Sequence, residues 1–196
     1  MKKLIPQDAA LIPDNAECVF KGKIFDVYQW PQVLYDGSTA TFERLKRPDA
    51  TDVICIVNDK ILIITDEQPD RGPLEAFPGG RVDPGEVSMT ASAQREVLEE
   101  VGYSFKNWRL LQVGQPFKKI EWFSYLFIAW DVTGQQAPHN DAGERITIKE
   151  VSFEELKQLV LARTDYLDVA EDLFKNTNSI DELLKLPEYE GVEVDR

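Results

Sequence analysis

Glu96, Glu99 and Glu100 crowd the short stretch "REVLEE", downstream of the glycine pair in "FPGGRVDPGE". On a helix of 3.6 residues per turn, Glu96 and Glu100 are neighbours at i and i+4 and Glu99 lies one position round, so the three carboxylates fall within an arc of roughly 100°. Like charges at this spacing repel, which leaves two readings. Either the face is simply solvated, as exposed glutamates commonly are, or a cation collects on it. The hard divalent ion that suits an all-oxygen cluster is Mg²⁺ or Mn²⁺. The glycines favour the second reading, because a backbone without side chains can approach a ligand closely and turn a carbonyl toward the same ion.

The elements that must hold these acids follow from local pattern. A helix is expected from about Thr90 to Val101, with Thr90 or Ser88 as N-cap and Gly102 placed to end it. "TDVICIV" and "KILIITDE" read as strands joined at a hairpin turn, Asn58-Asp59. "PLEAFPGG" leads into the glycine loop. "WRLLQVG", "EWFSYLFIAWDV" and "RITIKEV" read as further strands, with a loop at 134–143. "SFEELKQLVLA" has Ser152 and Glu155 at capping-box spacing, and "DVAEDLFKN" and "SIDELLKL" read as short closing helices. Upstream, residues 17–47 alternate apolar and polar positions in two or three antiparallel strands, and "RPDA" at 47–50 reads as a linker. The expected fold is α/β, in layers, with an N-terminal β module over 1–47 and a main domain over 48–196.

Composition narrows the function classes. The chain has 196 residues, 43% of them hydrophobic, which is ample for a packed core. The formal net charge is -13, the wrong sign for nucleic acid or an anionic membrane. Pro6 and Asp8 interrupt the start before a signal-peptide core forms, and no apolar run is long enough to span a bilayer, so a cytosolic protein is expected. Two cysteines, Cys18 and Cys55, make neither a disulfide framework nor a zinc site. His139, the single histidine, reads as a loop residue.

Gly80, five residues, Glu86, and then Arg95-Glu96-Val97-Leu98-Glu99-Glu100-Val101-Gly102-Tyr103 resembles the Nudix box, the signature of hydrolases of nucleoside diphosphates linked to another moiety. Every specified residue type is present. One departure is that eight residues, where the family has seven, separate Glu86 from Arg95. We place the extra residue in "EVSM", because an insertion within Arg95–Gly102 would rotate the glutamates apart by about 100°.

The resemblance implies a mixed sheet between helices, with the box crossing one end as loop, helix and loop. It also implies divalent ions held by Glu96 and Glu100, with Glu99 beside them and the carbonyl of Gly79 as a further ligand, while water attacks a pyrophosphate. Arg95 would orient the glutamates, with Glu86 in the same group. A general base is implied on a loop beyond the box, where Glu144 is the candidate and Asp141 the runner-up; a solvated loop carboxylate is the alternative for either. Glu121 is a lesser candidate for the metal cluster.

Within the family, the N-terminal module, the approach "DEQPDRGPLEAFPGG" and Pro116 are similar to the ADP-ribose and nucleotide-sugar pyrophosphatases, although "QPFKKIEW" lacks that subgroup's Ser-Pro-Gly run. This likeness implies a homodimer and a small nucleoside diphosphate derivative as substrate. Arg71 matches an arginine near the pyrophosphate, and Arg47 is either a ligand to phosphate or nucleobase or a surface charge before the linker. Trp30, Tyr28 and Phe25 either stack a base or pack as core or interface; Lys118 and Lys119 either meet phosphate or sit in a solvated turn. The alternatives are a hydrolase of nucleoside triphosphates or dinucleoside polyphosphates, and a ligand-sensing module without catalysis.

Overall fold

The computed structural model describes residues 1–139 and 142–195. Its centre is a mixed sheet built on strands whose residues are buried on both faces. Strand β5 (Ala50–Val57) sends Val53, Cys55 and Val57 to one side and Ile54 and Ile56 to the other, as the unbroken apolar run "VICIV" requires. It pairs antiparallel with β6 (Lys60–Gln68) through a turn in which Asn58 and Asp59 both take positive φ, the geometry expected of a tight hairpin. It also pairs parallel with β11 (Ser124–Gln135), which runs antiparallel to β9 (Tyr103–Gly114); β12 (Arg145–Val151) closes the other edge on β6. Two short strands extend this sheet, β7 (Arg71–Ala76) on β6 and β8 (Gly79–Arg81) on β5. Neither stands out in "PLEAFPGG", whose prolines and glycines mask the pairing.

Helix α1 (Met89–Glu100) covers one face with Met89, Ala93 and Val97. Ser88 Oγ accepts from the Ala91 N–H, and Gly102 ends the helix at φ +75, where a Cβ would stand 2.2 Å from the Gln136 carbonyl oxygen. The opposite face lies under α2 (Phe153–Leu161), a 3-10 helix over Asp165–Ala170, α3 (Glu171–Asn176) and α4 (Ile180–Leu183). Ser152 and Glu155 form the expected capping box on α2. The stretch "DVAEDLFKN" divides into the end of the 3-10 helix and α3. The sheet thus lies between helices.

Residues 17–47 form three antiparallel strands, β2 (Glu17–Lys21), β3 (Asp26–Val33) and β4 (Thr39–Lys46), and β10 (Ile120–Glu121) joins them parallel to β4. The run "EWFSYLFIAWDV" is therefore split: its first residue, Glu121, belongs to this second sheet, and its strand in the main sheet begins at Ser124 and continues to Gln135. The start of the chain is more ordered than its sequence suggests, since β1 (Lys2–Ile5) pairs with β13 (Val192–Asp195) from the far end. Nor is "RPDA" loose. Asp49, 8% exposed, accepts from Lys3 Nζ at 2.6 Å and from the Phe123 N–H at 2.9 Å, and its carbonyl accepts from the Val82 N–H. Among the described residues no helix is long and apolar enough to cross a membrane.

Candidate active site

Where β5, β8 and α1 meet, a cleft of about 1080 Å³ opens, and it gathers most of the residues singled out in the sequence. Gly79, Gly80, Arg95, Glu96, Glu99 and Glu100 line it, as do Glu144, Arg47 and Arg71. Glu86 stands behind Arg95 and is reached in spite of the longer spacing. Arg95 donates from Nε to Glu86 Oε1 at 2.8 Å, from Nη1 to Glu99 Oε2 at 2.9 Å and from Nη2 to the Arg81 carbonyl at 3.1 Å, and pairs with Glu96 at 2.9 Å. Helix α1 begins at Met89, so Arg95 to Glu100 lie on one unbroken helix. Against the opposing effect of burial, Glu86, Glu96 and Glu99 hold the guanidinium above the ordinary arginine range. Arg95 is thereby committed to the acids around it.

The three glutamates have separate surroundings. Glu99 turns to Arg95 and is 45% exposed. Glu100 is 8% exposed, and its Oε2 accepts from the Gly79 N–H at 2.8 Å. Burial pushes Glu100 up to about 9, with Glu96 and Glu144 adding to the shift. Glu96 is pushed up to about 7, again first by burial, with Arg95 acting against it. Gly80 lies against Glu96 so closely that a Cβ would stand 2.6 Å from Glu96 Cδ. The glycine is needed to leave room for the carboxylate.

Among the described residues no three acids form a ready-made cation cage. The donor set nonetheless fits a divalent ion. Glu100 is buried and Glu96 largely so, Arg95 divides its bonds among Glu86, Glu96 and Glu99, and a hard cation would satisfy the pair with oxygen ligands. Mg²⁺ in particular is commonly held by one or two carboxylates together with substrate phosphates and water, which matches a pair better than a closed cage. Glu96 and Glu100 would hold it, with Gly79 beside them.

The two arginines Arg47 and Arg71, which both line the cleft, differ. Arg71 bonds Asp66 through Nη2, lies over the Tyr166 ring at 5.5 Å, and keeps a buried Nη1 without a hydrogen-bond partner among the described residues. Arg47 has no carboxylate partner among the described residues and lies between aromatic rings, 4.6 Å from Trp122 and 5.7 Å from Phe25. Burial, and then Arg81, hold it below the ordinary arginine range.

Other candidates lie elsewhere. Trp30 is 7% exposed and packs with Arg44 and Phe42, and neither it nor Tyr28 lines the cleft. Glu121 is a strut: its Oε2 accepts from the Ile12 N–H at 2.6 Å and Oε1 meets Lys46 at 3.1 Å. Lys118 pairs with Asp8, and Lys119 Nζ stands 5.9 Å from the Phe42 ring centroid. Pro116 and His139 line the cleft, and the His139 N–H donates to the Glu99 carbonyl. Asp141 lies outside the described residues.

Among the lining residues that the sequence reading passed over are Asp52, Trp122, Ser124 and Tyr166. Asp52 had a visible signal, because in "TDVICIV" it shares the strand face of Ile54 and Ile56, where an acid is out of place. Burial pushes it up to about 6, with the Ser124 hydroxyl acting against the shift.

Comparison with known proteins agrees with this geometry. The model of the NUDIX domain matches residues 46–173, most of the chain, and the chain belongs to that family of hydrolases. It is 27% identical over 158 residues to the ADP-ribose pyrophosphatase of Bacillus subtilis (strain 168), covering 76% of this chain and 83% of that protein. To the methanol dehydrogenase activator of Bacillus methanolicus it is 26% identical over 159 residues, 78% of this chain and 84% of the relative. The crystal structure of an ADP compounds hydrolase superposes with a TM-score of 0.64 over 83% of this chain and 93% of its own, at 23% identity, a likeness of fold.

Proposed function

We propose that this chain hydrolyses the pyrophosphate bond of ADP-ribose or a related nucleoside diphosphate sugar, releasing a nucleoside monophosphate and a sugar phosphate, with Mg²⁺ as its ion and Mn²⁺ able to replace it. One observation carries the reading: a single cleft brings Glu96 and Glu100 together with Arg47 and Arg71. The likeness to an ADP-ribose pyrophosphatase supports the choice of substrate. A bound divalent ion supplies charge neutralisation of the diphosphate and a more acidic water.

The chain's own groups supply the rest. Arg95 holds Glu86, Glu96 and Glu99 in place through charge-assisted hydrogen bonds. Glu144 lines the cleft near enough to raise both Glu96 and Glu100, a position from which a carboxylate takes the proton of the attacking water. Arg71 lines the cleft as a cation for phosphate oxygen. Arg47, held between Phe25 and Trp122, presents a flat cation to a base or phosphate.

A homodimer through the N-terminal strands agrees with the exposure of Val19, Phe20 and Val33 there, each more than half exposed. In that arrangement the β3 aromatics Tyr28 and Trp30 would serve the site as scaffold. A cytoplasmic location agrees with two free cysteines, and the net charge of -13 argues against nucleic acid as a partner.

A substrate panel with Mg²⁺ tests the proposal. Nucleoside monophosphate released from ADP-ribose or GDP-mannose is the expected result. Cleavage of nucleoside triphosphates or dinucleoside polyphosphates alone would reject it, and tight binding of ADP-ribose without turnover would point to a sensing module.

A further inference from the structure

The sheet face beneath α2, the 3-10 helix and α3 is apolar almost throughout, with Ile54, Ile56, Ile61, Ile63, Leu126 and Ile128 all buried. At the end that opens into the cleft, this pattern stops. Asp52 stands two residues before Ile54 on β5 and opposite Leu126; Leu126 in turn stands opposite Gln112, and Ser124 is two residues before Leu126. Residues that are directly opposed or two apart share a face, so Asp52, Ser124 and Gln112 form one polar patch, and all three line the cleft.

Within the patch, Ser124 Oγ donates to Asp52 Oδ2 at 2.8 Å and Gln112 Nε2 donates to the Val169 carbonyl at 3.1 Å. No cation pairs with Asp52 among the described residues. A carboxylate has about four lone-pair sites, and one serine hydroxyl leaves most of them open. An acid at a core-facing strand position has no reason to be there for folding, since burial without full hydrogen bonding is unfavourable. The patch therefore offers acceptors and no positive charge. Phosphate is repelled there, whereas neighbouring hydroxyls of a sugar ring are the donors it suits; a strand-end acid that takes ribose hydroxyls is a familiar solution in nucleotide-binding sheets.

We propose that Asp52, steadied by Ser124, accepts hydrogen bonds from the hydroxyls of a diol-bearing ring of the substrate and so sets specificity for it. This rests on the pyrophosphatase reading above. The ring is either the terminal sugar or the nucleoside ribose, and the experiment separates the two. Three substrates are compared in wild type and Asp52→Asn: ADP-ribose, its analogue lacking the 2′-hydroxyl of the adenosine, and ADP capped by a methyl group in place of the terminal sugar.

Wild type is expected to prefer ADP-ribose over one of the two analogues, and Asp52→Asn to reduce that preference in kcat/KM by about 10- to 100-fold, mostly through KM. Loss of preference over the methyl-capped compound assigns the terminal sugar; loss over the deoxy compound assigns the nucleoside ribose. Unchanged ratios in the variant would overturn the inference. So would a wild type that treats all three substrates within about threefold of one another, a result that does not depend on the variant folding. A wild type that turns over none of the three overturns the pyrophosphatase reading, and this one with it.

Discussion

Glu100→Gln lowers kcat on ADP-ribose by about 10²- to 10³-fold while the protein keeps its fold. The substitution is nearly isosteric, and the glutamine carbonyl oxygen can still accept the Gly79 N–H that Glu100 now holds at 2.8 Å. What disappears is one of the two carboxylates with which the cleft would hold a divalent ion. Because Glu100 is 8% exposed and its charge is disfavoured by burial, its removal does not weaken packing. The melting temperature of the variant is therefore expected to match or exceed that of the wild type. Glu99, 45% exposed and engaged by Arg95, is expected to lose less on the same change. Steady-state kinetics and thermal circular dichroism on the same preparations check both halves. Near-normal turnover in Glu100→Gln would remove the metal-binding assignment.

The second large effect is on stability. Asp49→Ala is expected to cost about 3–5 kcal/mol, because it strands the Lys3 ammonium in an interior where both side chains are less than a tenth exposed. It also deprives the Phe123 N–H of its acceptor. For a chain of this size the melting temperature should fall by about 6–20 °C. A double variant, Lys3→Met with Asp49→Leu, removes both charges and should recover much of the loss, since apolar replacement of a buried pair is often close to neutral. A drop of less than about 2 °C in Asp49→Ala would show that the pair is not holding the N-terminal strand to the segment before β5.

The ion pair also shows where sequence reading stops. Local signals carried most of the elements: the Asn58-Asp59 turn, the Ser152/Glu155 capping box, Ser88 before α1 and Gly102 after it all sit within a few residues of what they specify. Pairings between distant segments left no such mark. Lys2 meets Glu193 across 191 positions, and "KKLI" has no strand pattern until Val192–Asp195 is laid beside it.

The candidate site divides in the same way. The acids of "REVLEE" were legible because one helix carries them all, and Glu86 meets Arg95 in spite of the extra residue between them. Glu121 and Trp30 were misleading for a common reason: an acid beside a strand and an aromatic on a strand are equally suited to structure, and here Ile12, Lys46, Arg44 and Phe42 claim them. Trp122 escaped notice inside an apolar run, although it faces the cleft through its contact with Arg47.

On the proposed function, Glu96 and Glu100 hold a divalent ion against a diphosphate. Crystals grown with Mn²⁺ and a non-hydrolysable ADP-ribose analogue, measured at the manganese absorption edge, test it directly. An anomalous peak bridging these two carboxylates and the analogue's phosphate oxygens, beside Gly79, is the predicted result. Analogue bound in the cleft with both carboxylates turned from it and no peak between them would contradict the account.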